Sequence, residues 1–117
     1  MHELSLAQSL IEQVVSAAEA ENAARILRVV VAIGPYAGVE KSAFEFAFPA
    51  AAEGTPAEGA ELIIENAPAT LECRMCHAAI PADPAQISCP RCGSDCVDIK
   101  GGHDFLVREI ELEVQGD

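Results

Sequence analysis

The chain has 117 residues, of which 50% are hydrophobic and 4% aromatic, and its 7 basic and 19 acidic residues give a formal net charge of −12 at pH 7. This length and apolar content predict one ordinary domain, or a small domain with a metal-bound module, and exclude a disordered chain. The acidic balance argues against nucleic acid as a partner, because affinity for phosphate backbones is built from lysine and arginine contacts.

An amphipathic helix is predicted over residues 4–20, where apolar residues recur at helical spacing, with Asn22 as its stop. The first three or four residues are therefore expected to project from the helix start. A strand is predicted over Arg25–Ile33, with Leu27 and Val29 on the same face, and a Gly-Pro turn follows it.

The rest of the chain predicts one more helix and further strands. The helix spans residues 39–48 and is expected to end at Pro49, because proline breaks the helical hydrogen-bond pattern. Residues 50–59, rich in alanine and glycine, are expected to form a flexible surface loop. The remaining strands are predicted over Glu61–Glu65, with a continuation over Ala69–Glu72, and over Phe105–Val114.

These segments predict an α+β fold. We expect a three-stranded, mostly antiparallel sheet with two helices on one face and an inserted four-cysteine zinc-ribbon module. In this division residues 1–71 and 98–117 form an α/β domain, and residues 72–97 form the zinc module. No basic region precedes the N-terminal apolar residues, and no apolar run approaches the roughly 20 residues of a membrane span. We therefore expect a cytoplasmic protein with no membrane partner.

Four of the five cysteines form two C-x-x-C pairs, Cys73 with Cys76 and Cys89 with Cys92, separated by twelve residues. Each pair presents two sulfur atoms to one point, and a loop of this length lets the two pairs complete a tetrahedral shell around zinc. Four thiolates leave no coordination position for water, so the predicted zinc ion is structural. Iron–sulfur, rubredoxin-type iron and redox-active dithiols are the alternatives.

Three further side chains are chemically capable of binding metal but receive no role. His77 follows a cysteine directly and could replace a thiolate, although a solvated loop histidine is the simpler interpretation. Cys96 belongs to neither pair and is expected to be a buried or spare thiol, and His103 follows a Gly-Gly turn and is expected to be exposed.

The chain start is a second candidate metal site. Met1 and His2 offer the α-amine, the amide nitrogen of residue 2 and an imidazole, and Glu3 can add an amide or a carboxylate. Such a set of nitrogen atoms, including backbone amides, favours the square-planar geometry of Ni(II) or Cu(II). An ordinary frayed terminus is the alternative interpretation.

Five features occur together along almost the whole chain: the Met-His-Glu start, the leading amphipathic helix, the strand Arg28–Gly34, the short helix containing Phe44, and the run Cys73-x-x-Cys76…Cys89-Pro-x-Cys92-Gly-Ser. Their combination resembles the HypA/HybF family of nickel metallochaperones, which serve as hydrogenase maturation factors. The resemblance joins a specific terminus to a specific cysteine module, and it implies a mixed α/β nickel domain with a zinc ribbon.

The resemblance also implies how the protein works. Ni(II) would be bound as cargo at Met1, His2 and Glu3, with His2 as the side-chain ligand, beside a structural four-cysteine zinc site. The expected partners are a HypB-type GTPase and the large subunit of NiFe-hydrogenase, and in some organisms urease accessory proteins. No enzymatic activity is predicted, because the sequence shows no nucleophile–base set, open metal position or phosphate-binding loop. The alternatives are a zinc-ribbon adaptor for protein interactions and a thiol oxidoreductase.

Overall fold

The computed structural model describes residues 2–114. The elements it contains are, in chain order, α1 (His2–Ala20), β1 (Ala23–Ile33), α2 (Lys41–Ala52), β2 (Glu61–Asn66), β3 (Ala69–Cys73), β4 (Ala79–Pro81), β5 (Val97–Gly101) and β6 (Phe105–Val114). The strands form two three-stranded sheets, ordered β2-β1-β6 and β4-β3-β5. Two helices, small antiparallel-rich sheets and a four-cysteine module confirm the predicted fold class.

The chain divides into two compact units, and the first comprises residues 1–31, 39–64 and 106–117. In this unit α1 packs against α2. The two helices bury apolar stripes at helical spacing, as an amphipathic helix must. The buried residues are Ala7, Leu10, Ile11, Val14 and Ala18 on α1, and Phe44, Ala47, Phe48 and Ala52 on α2.

The start of α1 differs from the prediction and its end agrees with it. The helix begins at His2, so His2 and Glu3 form its first turn and do not project from it. A carboxylate in the first turn interacts favourably with the positive end of the helix dipole, which helps Glu3 to extend the helix towards the terminus. Asn22 adopts a left-handed backbone with φ 55° and ends the helix as predicted.

The prediction that Pro49 ends α2 was wrong, because the helix continues to Ala52 with Pro49 inside it. Proline forfeits the hydrogen bond to Glu45, but both residues are exposed, so water can satisfy that carbonyl group. Alanine has the highest helix propensity, and the buried Ala52 adds tertiary packing. Residues 50–59 are thus no simple flexible loop, since Ala57 is also fully buried.

The faces of β1 also differ from strict alternation. Leu27 is 38% exposed, whereas Ile26, which was predicted on the opposite face, is fully buried, so burial along β1 does not follow the two predicted faces. Every residue from Val29 to Ile33 is buried. β1 is the central strand of its sheet, and a central strand can be covered on both faces.

Hydrogen bonds define how the strands of the first sheet run. The Gly34 N–H donates to the Asp104 carbonyl at 2.8 Å, and the Arg28 guanidinium donates to the Glu109 carboxylate at 3.1 Å. Residue numbers therefore rise on β1 as they fall on β6, which makes this pair antiparallel. The Ala67 N–H donates to the Ile33 carbonyl at 3.1 Å, placing the ends of β2 and β1 side by side. These two strands are thus parallel, and α2 lies in the crossover between them.

The second unit comprises residues 32–38 and 65–105. Its β3 pairs antiparallel with both neighbours, so that Leu71 lies opposite Ile80 of β4 and Ile99 of β5. This unit contains all five cysteines and more chain than residues 72–97. The division into a nickel-binding domain of residues 1–71 with 98–117 and a zinc module of residues 72–97 stays a prediction.

Two glycines in the second unit allow two backbone segments to cross. A Cβ atom on Gly34 would lie 2.1 Å from the carbonyl oxygen of Gly102, and one on Gly102 would lie 2.5 Å from the Ala69 Cβ. The Tyr36 N–H donates to the same Gly102 carbonyl at 2.7 Å. The Gly-Gly turn predicted here is therefore needed for close packing, because no side chain fits between the segments.

In the part of the chain that the structure describes, no helix has both the length and the apolar character required to cross a membrane.

We expect Gly34→Ala to lower the free energy of unfolding by more than about 1–3 kcal/mol, because the added methyl group meets a backbone carbonyl that cannot rotate away. Gly38→Ala is the matched control: its φ is 75° but no atom lies within 4 Å of the added Cβ, so only the backbone strain of roughly 1–2 kcal/mol applies. Denaturant unfolding of both variants checks this. Equal losses of unfolding free energy in the two variants would contradict the close approach of Gly34 to Gly102.

Candidate metal centre

The two C-x-x-C pairs form two turns of the same construction. In the first turn the His77 N–H donates to the Cys73 carbonyl at 3.0 Å, and in the second the Gly93 N–H donates to the Cys89 carbonyl at 2.7 Å. His77 and Gly93 have left-handed φ values of 62° and 78°. The residue four positions after each leading cysteine thus closes the turn. The turn requires a left-handed backbone at this residue.

His77 therefore has a conformational role that the sequence analysis missed. Its position in the first turn is equivalent to that of Gly93 in the second. Aligning the two C-x-x-C pairs with each other would have revealed it, since each is followed at the same spacing by one of these residues. Among the residues that the structure describes, the cluster able to hold a metal ion consists of cysteines and does not include His77.

The structure brings the four predicted ligand cysteines to one point. All four Sγ atoms lie within 4.8 Å of one another. The Sγ atoms of Cys73 and Cys92 are 3.6 Å apart, as are those of Cys76 and Cys89. A tetrahedral shell with metal–sulfur bonds of about 2.3 Å has edges of about 3.8 Å. The sulfur spacing thus fits one tetrahedral metal ion.

Backbone N–H groups stabilise the leading thiolate of each turn. The N–H groups of Cys76 and Met75 donate to the Cys73 Sγ at 3.4 Å and, with the neighbouring thiols, outweigh desolvation and lower the pKa of Cys73 to about 6. In the second turn the N–H groups of Cys92 and Arg91 likewise lower the pKa of Cys89. Both turns hold negative charge at the sulfur that a metal ion would bind.

The fourth sulfur shows why a cation is needed. The Ser94 N–H lowers the pKa of Cys92, but the sulfur of Cys73, desolvation and the sulfurs of Cys76 and Cys89 together raise it to about 12. Without a cation, four thiolates cannot share this volume because like charges repel. A divalent metal ion removes that repulsion, and four thiolates are the donor set that zinc prefers in structural sites.

Cys96 takes part in the second turn through its backbone. Its N–H donates to the Ser94 Oγ at 3.0 Å, and its carbonyl accepts from the Arg74 N–H at 2.8 Å. Its thiol is exposed and lies outside the four-sulfur cluster. His103 is exposed as predicted, with its ring centroid 5.9 Å from that of Tyr36.

The second predicted site is described from His2 onward, and Met1 lies outside the described residues. The imidazole of His2 is 60% exposed, and its Nδ1 lies 3.4 Å from the Glu3 Oε2. The same Glu3 oxygen accepts the Glu40 N–H at 3.1 Å. This bond from Glu40, with smaller contributions from the Glu3 N–H and His2, lowers the pKa of Glu3 and keeps it ionised.

Glu40 is a residue that the sequence analysis passed over. It is the N-cap of α2, and its carboxylate accepts the Ser42 N–H at 3.2 Å and the Ser42 hydroxyl at 2.6 Å. The N–H of Glu40 donates a hydrogen bond to the Glu3 carboxylate. Glu40 thus fixes the start of α2 and the first turn of α1 together, and placing the helix start at residue 39 hid this capping role.

Residues 1–112 match the family described as "HypA: Hydrogenase/urease nickel incorporation, metallochaperone, hypA". The hydrogenase maturation factor HypA of Chlorobium limicola is 42% identical over 117 residues, which is all of both chains. The chain belongs to the HypA family. A second HypA, from Chlorobaculum tepidum, is 40% identical over 113 residues, covering 97% of this chain and 100% of that one.

A solved structure agrees with this assignment to HypA. The solution structure of the Ni metallochaperone HypA from Helicobacter pylori matches with a TM-score of 0.67 and 30% sequence identity, over 97% of this chain and 98% of that one. The resemblance drawn from the sequence is confirmed. The chain is a nickel metallochaperone of the HypA family for hydrogenase maturation, with a four-cysteine metal site.

Replacing His77 distinguishes a conformational role from a ligand role. We expect His77→Gly to keep the bound metal and to unfold at the same or a higher denaturant concentration, because glycine adopts the left-handed backbone without strain. Gly93→Ala should lower the free energy of unfolding by about 1 kcal/mol, because alanine is strained in the left-handed backbone. Metal analysis and unfolding curves check both variants. Loss of metal from His77→Gly would show that the imidazole is a ligand.

Metal binding should displace a pH-dependent number of protons. The pKa of Cys73 is about 6, so above that pH its proton is already absent and below it metal must displace one. The number of protons released per metal ion should therefore rise by about one as pH falls through about 6. Calorimetry of metal binding in buffers of different ionisation enthalpy measures this number. The absence of a step near pH 6 would contradict the lowered pKa of Cys73.

Proposed function

We propose that this chain binds Ni(II) through Met1, His2 and Glu3 and delivers it to NiFe-hydrogenase under assembly, while a zinc ion on the four cysteines stabilises the second unit. The observation that supports this best is the exposed imidazole of His2 in the first turn of α1, beside the Glu3 carboxylate. It presents nitrogen donors in a region chemically different from the four-sulfur cluster.

A helix that begins at His2 is compatible with nickel binding through backbone nitrogen. The first four N–H groups of an α-helix have no intrahelical acceptor. The amide nitrogens of His2 and Glu3 belong to this group, so a metal ion can take them without breaking a helical hydrogen bond. With a free α-amine on Met1, these atoms and the imidazole supply the nitrogen-rich set that favours square-planar Ni(II).

Glu3 would act mainly by orienting this terminus. Its carboxylate oxygen contacts both the Glu40 N–H and the His2 Nδ1. These contacts restrict the first turn of α1 and hold a negative charge next to the imidazole. A divalent cation gains from that charge, whether the carboxylate binds it directly or stays on Glu40.

The zinc ion would be structural. Four thiolates fill a tetrahedral shell and leave no position for water or substrate. The apolar cluster around the site is small, consisting of Cys73, Ala78 and Cys89 with Val97 packed against it. Two of its members are ligands themselves, so metal binding, which can supply roughly 10–16 kcal/mol, would order this part of the chain.

The delivery role implies partners that receive or pass on nickel. We propose a HypB-type GTPase and the NiFe-hydrogenase large subunit as these partners, in the cytoplasm, where the five cysteines stay reduced. The curated relatives carry the name hydrogenase maturation factor, which supports hydrogenase as the first target. The family description also names urease, so urease maturation is a further target of the same carrier. The protein transfers its cargo and catalyses no reaction.

Nickel titration of zinc-loaded protein tests the proposal. We expect the native chain to bind Ni(II), and His2→Ala and a chain with one residue added before Met1 to lose binding, because each removes one nitrogen donor or displaces it. Glu3→Gln should bind more weakly, since it removes the negative charge but keeps a side chain that can accept the Glu40 N–H.

Cys96→Ser is the control, because its exposed thiol lies outside the four-sulfur cluster, and it should bind nickel like the native chain. Equal nickel binding by all variants would contradict the carrier function and leave a zinc-ribbon adaptor. Ready loss of zinc with reversible thiol oxidation would instead indicate a redox role.

A further inference from the structure

A groove lies beside the proposed nickel terminus, in the first unit. It is formed where the start of α1 meets the first half of α2, and its volume is about 280 Å³. The residues that line it are Glu3, Leu4, Ser42, Ala43, Phe46 and Ala47. Cofactor and drug-sized pockets start at about 300 Å³, so this groove has room for one or two side chains.

The groove has an apolar wall that the fold itself does not use. Phe46 is 87% exposed, while its neighbours Phe44, Ala47 and Phe48 face the core. Three of the lining residues, Ser42, Ala43 and Ala47, are small, which leaves space in the groove unfilled by the chain's own side chains. An exposed aromatic ring beside an unfilled groove is a candidate contact for a partner, because aromatic residues are enriched where proteins bind each other.

The charged residues around the groove are mostly acidic, which favours a partner with basic residues. Glu3 lies in its wall, Glu45 precedes Phe46 on the exposed surface of α2, and Glu40 caps that helix. Helix α1 contains no lysine or arginine, Lys41 is the one basic residue of α2, and the whole chain carries a net charge of −12. A second copy of this chain would bring like charges together, so the surface fits a partner whose apolar side chain is flanked by basic residues.

We propose that this groove docks a basic, apolar-faced segment of the protein that exchanges nickel with the chain. Leu4 and Phe46 would contact an aliphatic or aromatic side chain of that segment, and the surrounding carboxylates would contact its lysines and arginines. Glu3 borders the groove and is the next residue after His2, so a docked partner lies within reach of the nickel donors. This last step rests on the proposed nickel function.

A pair of designed helical peptides tests the docking surface. One carries leucine on one face and lysine on the other, and its counterpart replaces every lysine with glutamate. We expect the lysine peptide to bind zinc-loaded protein and to shift the amide resonances of Leu4 and of residues 42–47, and we expect the glutamate peptide not to bind. Phe46→Ser should lower the affinity for the lysine peptide about tenfold or more, which is the loss expected when a central apolar contact is removed.

Two variants serve as controls. Phe46→Leu keeps an apolar wall and should retain most of the affinity, and Ile87→Ser removes a side chain that is 82% exposed but belongs to the second unit and should change nothing. Equal binding to Phe46→Ser and native protein would overturn the proposal, as would equal binding of the glutamate peptide. Self-association that Phe46→Ser abolishes would overturn it in favour of a second copy.

Nickel titration of Phe46→Ser separates this proposal from the carrier function. We expect unchanged nickel affinity, because Phe46 supplies no donor atom. Native protein that binds nickel but not the lysine peptide would overturn the docking groove alone. Native protein that binds the peptide but no nickel would keep the groove as a protein-binding surface and remove the nickel exchange assigned to its partner.

Discussion

The convergence of four sulfur atoms within 4.8 Å of one another is the constraint on which the second unit depends. The two turns bring backbone N–H groups to the leading sulfurs, and they crowd the fourth so that its pKa rises to about 12. Only a cation resolves this arrangement with all four thiols ionised. Cys73 and Cys89 are also members of the small apolar cluster beside the site, so the metal ligands contribute to local packing as well as to metal binding.

The N-terminus differs from the cysteine cluster in the kind of donor atom it offers. In the proposed nickel site the donors would be nitrogen atoms at the start of a helix, where backbone N–H groups lack intrahelical partners. Glu3 is anchored by the Glu40 N–H, whereas His2 stays exposed. The proposed site would therefore combine an anchored Glu3 carboxylate with an exposed imidazole, an arrangement suited to an ion that must be released again. A closed sulfur shell, by contrast, retains its ion because no coordination position is open to an acceptor.

The sequence predicted best those features that depend on local spacing. The C-x-x-C pairs placed all four sulfurs, and the alternating pattern of Phe105–Val114 gave the bounds of β6 as the structure has them. Asn22 ended α1 because a left-handed residue is a local requirement.

Features that depend on distant contacts were missed. The N-terminal start of α1 is helped by Glu40, 37 positions away from Glu3, and the burial of Ile26 in place of Leu27 reflects packing within the unit. Pro49 lies inside α2 because its position is exposed and the following alanines favour a helix. His77 was considered as a possible ligand. Its contribution to the turn is instead its left-handed backbone, which is equivalent to that of Gly93.

We propose that one chain holds two metal ions in two chemically separate sites. X-ray absorption at the nickel and zinc edges of protein loaded with both ions tests it most directly. We expect zinc with four sulfur neighbours at about 2.3 Å and nickel with nitrogen or oxygen neighbours, including imidazole, and no sulfur. Nickel–sulfur scattering, or zinc displaced from its sulfur shell by nickel, would contradict it.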